Sequence, residues 1–272
     1  WGANSYGQLG DGTKTEKLTA VSIIRSNVLS VSLGESHTCA VLTGGELKCW
    51  GANSYGQLGD GTKTEKLLPV SLIGFGVTQV ASGFGHTCAI SGGALQCWGS
   101  NYAGQLGDGT TVSRIIPKTI IGSGVEQVTV GVDNTCVILS SGTLKCWGGN
   151  WFGQLGDGTT INRLVPTTVI ASGVTQVSAS QTHTCAIVNG ALYCWGTGYL
   201  GLENKLESFT PILIISSGVT QVSAGGQVTC VIISGSLRCW GGNAFGAVGD
   251  GTTQQKFTPV TILNSGVTQV SS

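Results

Sequence analysis

The sequence predicts an all-β fold, a β-propeller built from four-stranded blades. Trp-Gly pairs return at intervals of 45 to 49 residues, and short runs rich in β-branched residues lie between glycine-containing turns without long helical periodicity. One four-stranded sheet of this size cannot bury both faces, so consecutive sheets must stack, and a ring of blades leaves only short, protected edges. The pairs begin at Trp1, Trp50, Trp98, Trp147, Trp195 and Trp240.

The repeats predict a single propeller domain, residues 1–272, of about six to seven blades with the last one incomplete. Residues 1–18 and 50–67 are identical, which indicates a recent duplication. The last unit ends before its hairpin, so we expect either a fragment of a longer chain or a terminal blade with an open edge. The predicted units are 1–49, 50–97, 98–146, 147–194, 195–239 and the partial unit 240–272.

A regular unit has an Asn-x-x-Gly-Gln-Leu-Gly-Asp-Gly-Thr loop followed by four predicted strands. The first strand is introduced by proline, which has no backbone N–H to donate and therefore belongs at a sheet edge. The second strand reads Val-Thr-Gln-Val with small neighbours, so we place it innermost, where blades converge. The two arms of a hairpin complete the unit. The prolines are Pro69, Pro117, Pro166, Pro211 and Pro259, and Ala20 holds this position in the first unit.

The hairpin ends in Cys-Trp-Gly and is clearest around Asn189-Gly190, a pair typical of two-residue type I′ turns. Counting outward from that turn places Cys185 opposite Cys194, at a non-hydrogen-bonded rung whose close spacing suits a disulfide. Two hairpins are one residue longer and carry glycine, Gly45 or Gly142, in the left-handed third position of the turn. The predicted disulfides are Cys39–Cys49, Cys88–Cys97, Cys136–Cys146, Cys185–Cys194 and Cys230–Cys239.

Ten regularly paired cysteines indicate an oxidising compartment, so we expect a secreted or cell-surface protein. The alternatives are reduced structural cysteines and a zinc site. The zinc interpretation is weak, because no Cys-x-x-Cys occurs and the two thiols of one hairpin supply only half of a tetrahedral site.

Composition argues against several functional classes. The chain has 13 basic and 13 acidic residues without a basic tract, so we expect neither nucleic-acid binding nor attraction to anionic lipid. No apolar run is long enough to span a bilayer, so we expect no membrane insertion. No Gly-x-Ser-x-Gly elbow or phosphate-binding loop stands out, so we predict neither catalysis nor a cofactor. Charged residues make up only 10% of the chain, which favours a surface used in assembly.

Two sets of polar residues have ordinary structural explanations. His37, His86 and His183 occupy one position in different units, so repeat symmetry spreads them around the ring, and we interpret them as structural rather than catalytic or metal-binding. Aspartate before glycine is typical of turns, whereas a calcium site would need several converging carboxylates, and no Asp-x-Asp loop occurs. These aspartates are Asp11, Asp60, Asp108, Asp157 and Asp250.

The loops also carry aromatic side chains, which we expect on one face. They either wedge between blades or form an exposed ring suited to a protein or glycan partner, since tyrosine and tryptophan supply rigid contact area. Both interpretations are open at this point. This candidate binding face comprises Tyr6, Tyr55, Tyr102, Trp151, Phe152, Tyr199 and Phe245.

The sequence resembles the regulator-of-chromosome-condensation repeat family along nearly every unit. The resemblance implies a propeller, usually of seven blades, in which a strand from one terminus completes a blade begun by the other. The segments that match in one unit are Gly51-Ala52-Asn53, Gly56-Gln57-Leu58-Gly59, Pro69, Gly83-Phe84-Gly85-His86-Thr87-Cys88-Ala89 and Trp98-Gly99.

Three features depart from the family pattern. The cysteine pairs are additions that intracellular members do not need, which points to a secreted branch. The unit from Trp195 to Cys239 is irregular, since Gly201-Leu202-Glu203-Asn204-Lys205 replaces the usual loop and three residues are lost before Pro211. The last unit stops at Ser272, before its hairpin.

We therefore predict an extracellular, non-catalytic propeller that acts as a protein-binding or structural assembly module. Its partners would be another protein, or copies of itself through the open terminal blade. The resemblance implies one alternative, a guanine-nucleotide exchange factor for a small GTPase, as in the family's namesake. That role requires a cytosolic or nuclear protein with a protruding wedge, whereas the regular units here have compact loops.

Overall fold

The computed structural model describes residues 1–271 and is all-β. Within this range the strands form five four-stranded antiparallel sheets. Each sheet runs from the Val-Thr-Gln-Val strand or its counterpart, through the two hairpin arms, to the proline-bearing strand. The predicted fold class, a propeller of four-stranded blades, is confirmed. Ser272, at which the predicted sixth unit ends, lies outside the described residues.

The strands are numbered in chain order. The first sheet has β1 (Val28–Leu33), β2 (His37–Leu42), β3 (Leu47–Gly51) and β4 (Lys66–Ile73). The second has β5 (Val77–Ser82), β6 (His86–Ser91), β7 (Ala94–Gly99) and β8 (Arg114–Ile121). The third has β9 (Val125–Val130), β10 (Asn134–Leu139), β11 (Leu144–Gly148) and β12 (Arg163–Ile170). The fourth has β13 (Val174–Ala179), β14 (His183–Val188), β15 (Ala191–Leu202) and β16 (Lys205–Ile215). The fifth has β17 (Val219–Gly225), β18 (Val228–Ile233), β19 (Ser236–Gly241) and β20 (Lys256–Leu263).

The sheets are offset from the predicted sequence units. Each proline-bearing strand pairs with the Cys-Trp-Gly arm that precedes it, so the first sheet spans 28–73 rather than 1–49. The strand predicted around Ala20 does not form, and the segment before it makes an isolated bridge between Gly2 and Lys17.

The chain divides into two compact units, Trp1–Asp133 and Asn134–Ser272. The first contains the first two sheets and β9, and the second contains β10 to β12 and the last two sheets. None of the described residues forms a helix that could cross a membrane.

The proline-bearing strands lie at the edge of their sheets, as predicted, but proline does not begin the strand. Pro69 is the fourth residue of β4 and lies in an irregularity of the ladder, because Cys49 pairs with Val70 while Gly51 pairs with Lys66. The absent N–H of proline therefore falls where no ladder hydrogen bond is needed.

The predicted hairpin register is confirmed. Cys185 lies opposite Cys194 between β14 and β15, and the equivalent residues face each other in the other hairpins. The cysteines are joined in five disulfides whose Cα atoms are 4.1 Å apart. These side chains are buried, so the covalent links lie inside the protein and not on its surface.

Consecutive sheets within one compact unit share one apolar core. In the compact unit Trp1–Asp133, the disulfide rung and hairpin of the first sheet face the Val-Thr-Gln-Val strand and Trp98 of the second sheet. The fourth and fifth sheets repeat this contact around Trp240. The cluster in the first unit comprises Cys39, Val41, Leu47, Cys49, Leu58, Val77, Val80, Ala89 and Trp98.

Two polar contacts also join consecutive sheets. The Trp98 indole Nε1 donates to the backbone oxygen of Gln57 at 2.9 Å. The Gln79 side chain binds both backbone groups of Val128, donating to its oxygen at 3.1 Å and accepting from its nitrogen at 3.0 Å. Gln176 binds Val222 in the same way in the second unit. Two contacts therefore position one sheet against the next. The glutamine of the Val-Thr-Gln-Val strand binds the following Val-Thr-Gln-Val strand or its counterpart, and the indole of the Trp-Gly pair binds the loop of the preceding sheet.

The contact between Gly59 and Trp98 gives a stability prediction. A Cβ at Gly59 would lie 2.6 Å from the Trp98 Nε1, and the residue has φ +76°, so we expect Gly59→Ala to lower the free energy of unfolding by about 2 kcal/mol or more. Urea unfolding measures this change. Gly74→Ala is the control, because nothing lies within 4 Å of its Cβ position. Equal stabilities of the two variants would contradict the proposed tight contact.

Candidate functional site

The loops that carry the predicted aromatic residues are organised by a buried asparagine. In the second loop, the Asn53 Nδ2 donates to the Asp60 Oδ1 at 3.1 Å and to the backbone oxygen of Thr62 at 3.1 Å. It also donates to the backbone oxygen of Thr64 at 3.0 Å, and its Oδ1 accepts from the Leu58 nitrogen at 3.0 Å. A loop without regular secondary structure is thereby held in one shape. Equivalent bonds are made by Asn4, Asn101, Asn150 and Asn243.

The aspartates of the Asp-Gly pairs complete these loops. The Asp108 Oδ1 accepts from the Thr110 nitrogen at 3.0 Å and from its hydroxyl at 2.7 Å, and Oδ2 forms an ion pair with Arg114 at 2.6 Å. Burial alone would raise the pKa of Asp108, but these bonds and the arginine charge hold it below its usual value. Each carboxylate is thus used within its own loop, and the described residues contain no cluster of acidic and histidine side chains that could hold a metal ion.

The glutamine of each regular loop attaches it to the next sheet. The Gln57 Oε1 accepts from the Tyr55 nitrogen at 3.0 Å, and the Gln57 backbone oxygen accepts from the hydroxyl of Thr87 at 2.8 Å as well as from Trp98. No role was predicted for this glutamine or for the asparagine. Their return at a fixed position in the Asn-x-x-Gly-Gln-Leu-Gly repeat was the signal that could have identified them.

The aromatic side chains of these loops are partly to fully exposed, so their rings are not buried between blades. Tyr6 is 50% exposed, Tyr55 46%, Tyr102 58%, Trp151 50%, Phe152 37% and Phe245 100%. Burial raises the pKa of the Tyr102 hydroxyl, and its hydrogen bond to Asp133 raises it further. The side chains therefore stand on rigid loops with a large part of their rings accessible, in the first unit as well as in the second.

Tyr199 does not belong to this set. It lies on the extended strand β15, and its backbone oxygen accepts from the Trp240 Nε1 at 3.0 Å, as the Gln154 oxygen accepts from the Trp195 Nε1 at 2.9 Å. Tyr199 thus occupies the glutamine position of a regular loop. The loop after Trp195 is three residues shorter than the regular loop, so Tyr199 has the spacing of a loop aromatic from the tryptophan but the position of the glutamine in the structure.

Comparison with known families agrees with the repeat. A model described as the RCC1-like domain matches residues 1–272. The chain belongs to the RCC1-like domain family.

Solved structures of this family have the same fold. Human WBSCR16 is 27% identical with a TM-score of 0.78, and the match covers 86% of this chain and 67% of that protein. Prp20p from Saccharomyces cerevisiae, described with its binding properties to Gsp1p and histones, is 20% identical with a TM-score of 0.73, covering 87% of this chain and 63% of Prp20p. A second structure of yeast Prp20, bound to Kap60, is 19% identical with a TM-score of 0.73, covering 87% and 61%.

This RCC1-like chain spans about two thirds of the length of these structural relatives. The likeness to Prp20p, at 20% identity, shows the fold alone. No curated protein sequence matches the chain.

The three histidines are buried, and His37 and His183 bridge consecutive sheets. The His37 Nε2 lies 2.9 Å from the Thr87 hydroxyl, and the His183 Nε2 lies 2.8 Å from the Thr229 hydroxyl. Burial lowers the pKa of His37 and of His183 to about 4 and that of His86 to about 3, with His37 adding a repulsive charge at His86. The neutral imidazoles of His37 and His183 therefore serve as inter-sheet hydrogen-bonding groups, which agrees with their predicted structural role.

These pKa values predict loss of stability in mild acid. An unfolded histidine titrates near pH 6.5, so the unfolded chain binds more protons than the folded one between about pH 6.5 and pH 4. The contribution of each histidine, about 3–5 kcal/mol, is fully present above pH 6.5 and is lost as the pH falls through the folded pKa. Urea unfolding at a series of pH values measures it.

The matched control uses a residue that the chain already accepts. Asn134 occupies the histidine position in another repeat, so a variant with His37→Asn, His86→Asn and His183→Asn removes the titrating groups. We expect its stability to change little across this pH range. If the stability of this variant fell with pH as steeply as that of the unmodified chain, groups other than the histidines would be responsible. Asp11, with a pKa of about 2, changes stability only at lower pH.

Proposed function

We propose that the chain is an extracellular, non-catalytic module that binds a protein partner through its loop aromatics. One observation carries the proposal: aromatic rings such as Tyr55 and Trp151 are about half exposed on loops that hydrogen bonds hold in one conformation. Preorganised aromatic side chains lose little conformational entropy on binding and are enriched at the centres of protein interfaces.

The disulfides support the extracellular part of the proposal. Five buried cross-strand disulfides suit a protein that folds in an oxidising compartment, and disulfides are rare in the cytosol. Each closes a short loop, which restricts the unfolded chain.

The family supports a protein as the partner. Prp20p is described with Gsp1p, histones and Kap60 as binding partners. An exchange-factor role, implied by the likeness to the family's namesake, is the second candidate. The regular loops of residues 1–271 offer little support for it, because each is pinned by its asparagine and carries no inserted wedge.

Counting thiols tests the compartment. In denaturant without reductant, we expect no free thiols, because all ten cysteines are paired. Reaction with a thiol reagent, with and without prior reduction, measures the count. Ten free thiols in protein isolated from its natural source would rule out the extracellular proposal.

Variants of the loop aromatics test the binding surface. We expect Tyr6→Ala with Tyr55→Ala to weaken partner capture about tenfold or more, because both truncations remove exposed contact area without touching the asparagine network. Immobilised protein, an extracellular extract and quantitative mass spectrometry provide the measurement. Leu18→Ala, also at an exposed apolar side chain, is the control and should bind normally.

A nucleotide-release assay on the same protein preparation tests the second candidate, the exchange factor. Accelerated release of labelled guanine nucleotide from a small GTPase, together with unchanged capture by the tyrosine variant, would favour an exchange factor over the aromatic binding module. Light scattering of the protein alone determines whether copies of the chain associate.

A further inference from the structure

The second compact unit, which begins at Asn134, contains an open cleft. Its lining residues differ from the residues at the equivalent positions of the regular repeats. It lies between the strand carrying Tyr199 and the loop carrying Phe245, and its volume is about 590 Å³. Gln227, Ala247 and Gln255 also line it. The cleft lies at the irregular repeat, where the sequence departs most from the family pattern.

The cleft exists because two consecutive repeats lack the usual loop glutamine. Ala247 follows Asn243 by four residues, as Gln154 follows Asn150, and the next nitrogen of each loop donates to its asparagine Oδ1 at 2.9 Å. Gln154 is buried and its Oε1 accepts from a loop nitrogen, whereas Ala247 is exposed and leaves that space empty. In the preceding repeat, Tyr199 holds the glutamine position.

Gln227 adds a side-chain amide to the lining of the cleft. Gln227 lies three residues before its hairpin cysteine, where the regular second repeat has Gly85. Its side chain is exposed, and among residues 1–271 its amide has no hydrogen-bond partner. A Cβ on Gly242 would lie 2.7 Å from the Gln227 Oε1, so the amide in its present position lies directly against the glycine.

The aromatic side of the cleft is partly fixed. The Tyr199 ring packs against Phe257 with centroids 5.4 Å apart, and its hydroxyl donates to the Gln255 Oε1 at 2.9 Å. The Gln255 nitrogen remains free to donate to a ligand. Phe245 is fully exposed and presents both faces of its ring.

The cleft is electrically neutral. No residue that lines it is charged, and the adjacent Lys256 and Asp250 neutralise each other in an ion pair of 2.8 Å. An ionic ligand would lose hydration without gaining a counter-charge, whereas an uncharged ligand with many hydroxyl groups can use amide donors and acceptors together.

We propose that this cleft binds an uncharged glycan. The apolar face of a pyranose ring packs on Phe245, and its hydroxyl groups form hydrogen bonds with the amides of Gln227 and Gln255. The protein-binding proposal above rests on aromatics of the regular loops, such as Tyr55 and Trp151, and of that aromatic set this cleft includes Phe245 and Tyr199. Each proposal can therefore fail without the other.

The test measures binding of cellotetraose, laminaritetraose, mannotetraose and chitotetraose to the whole chain by isothermal titration calorimetry. We expect at least one of them to bind, with affinity reduced about tenfold or more by Phe245→Ala. Ala247→Gln is the sharper variant, because it removes no group and restores the residue that fills this space in the regular loops; it should abolish binding. Thermal unfolding checks that both variants are folded.

Phe75→Ala is the matched control, since Phe75 is 80% exposed but lies in the turn between β4 and β5 of the other unit. It should bind the sugar as the unmodified chain does. The proposal is overturned if none of the four sugars binds at millimolar concentration, or if Ala247→Gln binds normally. Preference for a sulfated tetrasaccharide, or a protein ligand displaced by Phe245→Ala where no sugar binds, would also overturn it.

Discussion

The structure depends on the way a Trp-Gly pair fits beneath the loop of the preceding repeat, as Trp50, Trp98, Trp195 and Trp240 do. The indole donates to the loop's backbone oxygen, at 2.9 Å for Trp98 and Gln57, and a glycine lies directly against the ring. The indole and the loop oxygen lie about one repeat apart in the sequence, so their contact cannot form until two consecutive repeats are ordered. Stability thus arises from contacts between neighbours, as in other repeat proteins.

The disulfides act within this arrangement and do not replace it. Each one joins two arms of a single hairpin, so it restricts a short loop but links no sheet to another. Its sulfur atoms nevertheless belong to the inter-sheet core, as Cys39 and Cys49 do beside Trp98. Reduction therefore affects both the local hairpin and the surface on which the next sheet packs.

Local rules predicted the parts of the fold that are local. The turn at Asn189-Gly190 was enough to pair Cys185 with Cys194, since strand register follows from turn length. The sheet boundaries and the glutamine contacts were not predicted, because they join residues about a repeat apart, such as Gln79 and Val128. The aromatic residues were recognised, but their exposure depends on loop shape, which the buried asparagines determine.

The asparagine network also explains how one repeat can acquire a new surface without losing the fold. Asn243 keeps its bonds to the loop although alanine replaces the neighbouring glutamine at position 247, so the substitution changes the surface and leaves the loop backbone in place. The first and second loops are identical in sequence, so they offer a ligand the same side chains. The two consecutive repeats that lack the loop glutamine meet at the neutral cleft around Phe245, which gives this part of the protein a surface that the regular repeats do not have.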